Sequence, residues 1–170
     1  DELLVIDNAP VTSRTRELVE QRFPSARYLA EYAQGLDFAR NRALRESTAE
    51  IVAYIDDDAI ASPGWVQCIA ETFAESPRIA ICTGRVEAWS LDSEGARLFE
   101  ANGGFARGDA RIHLPPGAGQ PPPGLPRPLI GWSIAVGSGV SMAVRRAVAA
   151  GLGGFDEALD MGAVLPGGGD

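Results

Sequence analysis

The stretch Ala49–Trp65, AEIVAYIDDDAIASPGW, runs apolar through IVAYI and then stops on Asp56, Asp57 and Asp58. A buried strand that ends on three adjacent carboxylates is an electrostatic liability, because like charges repel and an unpaired buried charge is expensive. In an extended segment side chains alternate, so Asp56 and Asp58 point one way and Asp57 the other. Two aspartates separated by one residue suit a hard cation such as Mg²⁺ or Mn²⁺ whose remaining ligands are phosphate oxygens. An exposed acidic turn at a strand end is the other reading of the same residues.

The flanking chain alternates strand and helix. ELLVIDNAP reads as a buried strand, Leu3 to Ile6, that ends on Asp7 and Asn8 and is broken by Pro10. TSRTRELVEQRF has helical spacing through Leu18, Val19 and Phe23, with Thr12 or Ser13 as N-cap. ARYLAEY is a short strand, and GLDFARNRALREST returns to helix with Leu36, Ala39, Ala43 and Leu44 on one face. After the aspartates, Pro63 suits the first turn of a helix over GWVQCIAETFAES, and RIAICTGRVEAW is a further strand. Such alternation marks a parallel α/β sheet, in which ligands bind beyond the carboxyl ends of the strands. Asp7 and Asp56 both fall at such ends. From Gly103 to about Gly131 the pattern collapses into Pro/Gly-rich sequence, either a surface loop or a functional one. Order resumes in WSIAVGSGVSMAVRRAVAAGLGGFDEAL as a strand-like run, a short helix and a Gly-rich turn.

Composition excludes several chemistries. At 170 residues the chain can bury a substantial single core. Its net charge of -8 argues against nucleic acid as a partner, although a cation can still screen a nucleotide diphosphate. All 15 basic residues are arginine, which removes a Walker-type lysine and a Schiff-base lysine. His113 is the one histidine, so neither a Ser-His-Asp triad nor a histidine zinc site is expected. Cys68 and Cys82 form no framework spacing and read as buried thiols. With no initiator methionine and a final LPGGGD, the chain reads as a piece of a longer protein.

Other residues carry open alternatives. Asp7 either accepts from a ribose hydroxyl or caps a turn. In GLDFARN, Arg40 reaches a diphosphate, holds a neighbouring aspartate, or is a solvated surface residue. The small residues of GSGVSMAVRR permit close backbone approach to a ligand or tight strand packing. In GGFDEAL, Asp156 and Glu157 cap the next element or face an acceptor, with Phe155 as a core plug. Asp170, on the final GGGD, suits either a base that meets a substrate hydroxyl or a loose chain end.

The succession VIDN, GLDFARNRAL, IVAYIDDDAIASPGWV, GRV, GSGVSMAVRR, GGFDEAL and GGGD resembles the family 2 glycosyltransferases, inverting enzymes of the GT-A fold. That resemblance implies an α/β chain with a Rossmann-like, mostly parallel central sheet flanked by helices, whose first strand and C-terminal part are missing. It implies a single domain over 1–170, with a nucleotide and metal half at 1–88. The acceptor-side half would be 89–170, including the Pro/Gly-rich loop 106–131. Asp56 and Asp58 would be the DxD-type pair for Mn²⁺ or Mg²⁺, with Asp58 on the metal and Asp56 nearer the ribose or the metal's water shell. Asp7, Asn8, Arg40, Asn41, Asp57 and Gly139 would serve the donor, Gly139 from the strand beneath the transferred sugar. Asp156 and Glu157 would lie on the acceptor side, and Asp170, or a residue after it, would be the base. The implied partners are a nucleotide-sugar, UDP-linked in the first place, and a carbohydrate, lipid-linked or other hydroxyl acceptor. The implied location is cytoplasmic, at the inner face of a membrane for a full-length parent. Two alternatives remain: nucleotidyl transfer on a related sheet, and a fragment that binds nucleotide or cation without turnover.

Overall fold

The computed structural model describes residues 2–102, 104–105, 110–113 and 137–159. Among the described residues, five strands and five helices alternate, as an α/β chain should: β1 (Leu3–Asn8), α1 (Arg14–Arg22), β2 (Ala26–Glu31), α2 (Leu36–Glu46), β3 (Ile51–Ile55), α3 (Trp65–Glu75), β4 (Ile81–Thr83), α4 (Glu94–Ala101), β5 (Ser141–Arg145) and α5 (Arg146–Gly151). A short 3₁₀ turn, Glu157–Leu159, follows. The strands pair as a parallel β1–β2 sheet and a three-stranded sheet in the order β3-β5-β4. Among the described residues, no helix is long and apolar enough to cross a membrane.

The chain divides into two compact units interleaved in sequence. The first comprises the described residues of Asp1–Val52, Ser76–Ala80 and Val144–Gly169, and the second those of Ala53–Glu75 and Ile81–Ala143. In the first unit, β1 and β2 run in register from Leu3 opposite Ala26 to Asn8 opposite Glu31. Asp7 and Asn8 therefore belong to the strand rather than following it. Helix α1 buries Val19, whereas Leu18 and Phe23 remain exposed. Ser13 occupies its N-cap position but turns its hydroxyl to Glu17 at 2.6 Å.

Helix α2 departs most from its expected face. The buried residues are Asp37, Arg40, Asn41, Ala43 and Leu44, while Leu36 is exposed. The inward stripe keeps helical spacing, but charged and amide side chains fill three of its five places. Hydrophobic periodicity cannot detect such a face, because the burial is made tolerable by pairing rather than by apolarity. Its outer side meets β2 through Arg42 and Arg45, both within salt-bridge distance of Glu31. Further along the chain, the Arg145 guanidinium pairs with Glu50 and donates to the Ile79 carbonyl at 3.2 Å. Arg146 donates to the Ala49 carbonyl at 2.8 Å.

In the second unit, Pro63 and Gly64 form the turn before α3, so Pro63 lies outside the helix's first turn. Phe73 is the buried residue of α3. Cys68, on another side of that helix, is exposed and Cys82 is half-buried, so the expectation of two buried thiols holds for neither in full. Strand β4 stops at Thr83, well short of Trp89. Helix α4 had no expected counterpart, although it carries an ordinary start signal: the Ser93 hydroxyl accepts from the Ala96 N–H at 3.0 Å, with Glu94 in the first turn. Most of the Pro/Gly-rich stretch 106–131 lies outside the described residues.

Candidate active site

The carboxyl ends of β1 and β2 form the first cluster. Side chains alternate along a strand, so Val5 and Asp7 share a face. Val5 is in register with Tyr28, and Asp7 with the small residue Ala30. The short Ala30 side chain leaves room for the Tyr28 hydroxyl to donate to Oδ2 of Asp7 at 2.8 Å. The Arg16 guanidinium lies 5.1 Å from the centroid of the Tyr28 ring, within cation–π range. Desolvation, then the hydrogen bond and charge of Asp7, raise the Tyr28 hydroxyl above its ordinary value of 10.0, against an opposing pull from Arg16.

Asn8, on the other face, is committed to its own chain. Its Nδ2 donates to the Ala33 carbonyl at 2.7 Å and its Oδ1 accepts from the Gly35 N–H at 2.8 Å. Glu31 adds a carboxylate oxygen to the Ala33 N–H at 2.9 Å. These three bonds fasten the β2–α2 loop. Gly35, with φ 144°, starts α2 from a conformation that favours glycine. Both ends of the Asn8 amide are therefore engaged in holding this loop.

Helix α2 then presents Arg40 and Asn41 inward. Arg40, 4% exposed, pairs with Asp37, 1% exposed, at 3.2 Å. Its guanidinium also lies 5.4 Å from the Phe155 ring centroid. Of the three uses open to Arg40, the pairing with a neighbouring aspartate is present, and its burial overturns the solvated surface arginine. Asn41 donates from Nδ2 to the Phe155 carbonyl and to Oε1 of Glu157, both at 2.9 Å. Its Oδ1 accepts from the Phe155 N–H at 2.8 Å. Donor-side and acceptor-side expectations therefore meet in direct contact within the first unit.

The turn held this way lines, with Asn41, a concavity of ≈ 520 Å³ that includes Asp156 and Glu157. Gly154 has φ 84°, and a Cβ there would strike Oδ1 of Asn41. Asp156 is exposed and accepts the Ala158 N–H at 3.0 Å, so it caps the 3₁₀ turn. Glu157 takes the amide of Asn41 instead.

In the second unit, β3 stops at Ile55 and the aspartates form a turn. The Asp56 carbonyl accepts from the Ala59 N–H at 3.1 Å, which makes Asp57 and Asp58 the central pair. The strand alternation expected to put Asp56 and Asp58 on one side therefore does not run through the triplet. Asp56 is half-buried, and Asp57 and Asp58 are exposed. Among the described residues, no group of three or more His, Cys, Asp or Glu side chains is arranged to hold an ion. A pair of accessible carboxylates still fits Mg²⁺ or Mn²⁺, which bind through one or two carboxylates and complete their shell with phosphate and water.

Gly139 is buried in a turn rather than in a strand, which begins only at Ser141. The neighbouring built feature is Trp65, whose Nε1 donates to Oγ of Ser141 at 3.0 Å, while the Ser141 carbonyl accepts from the Gly84 N–H at 2.8 Å. A Cβ on Gly84 would strike the same hydroxyl. Asp170, the expected base, lies outside the described residues.

Four participants had gone unassigned. Tyr28 carries no signal beyond residue type. Phe155 was expected only as a core plug, and Trp65 only as part of a helix-starting turn. Asp37 was the most accessible to inference, because an aspartate three residues before Arg40 on a helix is a potential ion pair.

Comparison with known proteins followed this geometry. The family model described as "Glycosyl transferase family 2" matches residues 1–150. A glucosyl-dolichyl phosphate glucuronosyltransferase of Haloferax volcanii is 32% identical over 53 residues, covering 31% of this chain and 17% of that protein. No solved structure matches the chain.

Proposed function

The chain belongs to glycosyl transferase family 2, and from that premise we propose that it transfers a sugar from a nucleotide-sugar, UDP-linked in the first place, to an acceptor hydroxyl with inversion. The observation that carries this reading is the placement of Asp7 and Asp56 at the carboxyl ends of β1 and β3, where α/β sheets bind their ligands. Asp7 binds the nucleoside. Asp56 and Asp58 would hold Mn²⁺ or Mg²⁺, with Asp57 on the donor side. When bound, the ion supplies charge stabilisation for the departing diphosphate. Asp156 and Glu157 face the acceptor, Glu157 oriented by Asn41. A carboxylate, with Asp170 as the candidate, takes the proton from the acceptor hydroxyl as it attacks the anomeric carbon opposite the nucleotide. One displacement of this kind inverts the centre.

The favoured acceptor class is lipid-linked, as in the name of the Haloferax protein, and the corresponding location is the cytoplasmic face of a membrane. The chain spans under a fifth of that relative's length, 17%. Hydrolysis of a panel of UDP-, GDP- and dTDP-sugars with Mn²⁺, compared with Asp58→Ala, tests the reading. Mn²⁺-dependent release of nucleotide that Asp58→Ala abolishes is expected. Equal binding of nucleotide-sugar by both proteins, without metal dependence, would sink it.

A further inference from the structure

The end of β1 holds an arrangement that the family reading leaves without a role. Tyr28 ties up one carboxylate oxygen of Asp7, and Arg16 covers the Tyr28 ring from α1. Among the described residues, Oδ1 of Asp7 takes no further hydrogen bond. An ionised carboxylate accepts donors on both oxygens. With Oδ2 held by a phenol whose ring is itself fixed, rotation of the carboxylate is suppressed and the lone pairs of Oδ1 keep one direction. Loop-fastening by Asn8 and Glu31 further stiffens the chain beyond β1 and β2. A single rigid acceptor at a strand end is suited to reading one hydroxyl.

We propose that Tyr28 is a positioning residue that makes the nucleotide site select ribose over deoxyribose, by holding Oδ2 of Asp7 so that Oδ1 receives the 2′-hydroxyl of the donor nucleotide. This rests on the nucleotide-sugar reading above and narrows it: the donor is a ribonucleotide-linked sugar, carried by UDP or GDP, rather than one carried by dTDP. A hydrogen bond to a charged acceptor is strong enough to separate the two sugars by about tenfold or more. A site built for a hydroxyl also disfavours the analogue that lacks it, because its own acceptor is then left unpaired.

The test is calorimetric titration of the chain with UDP and with 2′-deoxy-UDP, Mn²⁺ present throughout, and with GDP and dTDP as further probes. The wild type is expected to bind UDP about tenfold or more tightly than 2′-deoxy-UDP. Tyr28→Phe keeps the ring and its contact with Arg16 but loses the hydroxyl. It is expected to bring that ratio close to one through weaker UDP binding, with 2′-deoxy-UDP little changed. Asp7→Ala removes the acceptor and is expected to do the same, so the proposal stays testable if either variant fails to fold. A ratio that survives both substitutions, or a loss equal for the two nucleotides, would overturn the role of Tyr28 and leave the donor reading standing. Tighter binding of dTDP than of UDP would overturn the ribose selection. Failure of the wild type to bind any of the four would overturn the nucleotide reading and this proposal together.

Discussion

Asn41 holds Phe155 by both ends of its amide, the Phe155 N–H donating to Oδ1 at 2.8 Å and Nδ2 donating to the Phe155 carbonyl at 2.9 Å. The two residues are 114 positions apart in sequence. The contact joins the first turns of α2 to the turn that carries Asp156 and Glu157.

Asn41→Ala removes three hydrogen bonds and leaves part-buried backbone groups of Phe155 without them. A loss of about 2 kcal/mol is expected, read as a melting temperature lower by roughly 5 °C in calorimetry. Asn41→Asp keeps the shape but sets a carboxylate against Glu157. It is expected to be destabilised by like-charge repulsion, which added salt partly screens.

Gly154→Ala forces a side chain into a φ of 84° and against Oδ1 of Asn41. Backbone strain alone accounts for about 1–2 kcal/mol. Because part of the remaining penalty is the clash with Asn41, the double variant Asn41→Ala/Gly154→Ala is expected to lose less than the sum of the single losses. Denaturant unfolding of the four proteins measures that coupling directly.

Asp37 and Arg40 are the most buried charges described in the chain. Asp37→Ala is expected to cost about 3 kcal/mol, because it strips a buried guanidinium of its carboxylate. Replacing both, as Asp37→Leu/Arg40→Met, is expected to recover much of that stability, since well-packed apolar residues avoid the desolvation penalty altogether. Urea denaturation midpoints distinguish the two outcomes.

Glu75 and Arg111 form a two-point pair at 2.7 Å on the surface of the second unit. The hydrogen bond from Arg111 holds the Glu75 carboxyl below its ordinary value of 4.5. A depressed carboxylate stabilises the fold above its unfolded value and loses that contribution as the pH falls through the folded value. The pair should therefore matter above about pH 4.5 and fade below it, and fade also in high salt. In Arg111→Gln the Glu75 carboxyl is expected to titrate at higher pH, which a side-chain NMR titration reads.

Tyr28 shows the opposite sign. Its hydroxyl is raised first by desolvation and then by Asp7, so the protonated phenol is favoured in the fold. That contribution is present below pH 10.0 and lost above it. Absorbance titration should show one phenol ionising late, and earlier in Asp7→Asn.

Much of the architecture was legible because its signals are local. The runs LLVI and IVAYI announce strands, and the Leu36–Glu46 helix follows a glycine whose φ of 144° few other residues tolerate. The candidate cluster is only half legible. Asp7 stands out because it ends a strand, and Arg40 and Asn41 because they stand near a helix start. Asp37 is legible as a neighbour three residues before Arg40, but Tyr28, Phe155 and Glu157 are not legible as partners, because those contacts join segments distant in sequence. The aspartate triplet was mis-drawn for a related reason: alternation belongs to a strand, and one backbone bond from Ala59 to Asp56 ends the strand before the triplet is crossed.

By itself the sequence determined the alternating α/β chain, its family, and the residue types available for chemistry: aspartates and arginines, no lysine and one histidine. Those properties depend on composition and on patterns a few residues long. Only the tertiary structure decided that Asp37 answers Arg40, that Tyr28 answers Asp7, and that Asn41 grips Phe155 and Glu157. The Asp37–Arg40 pair is stable because burial removes water as the competing partner, the other two are partly shielded in the same way, and burial is a property of the assembled fold.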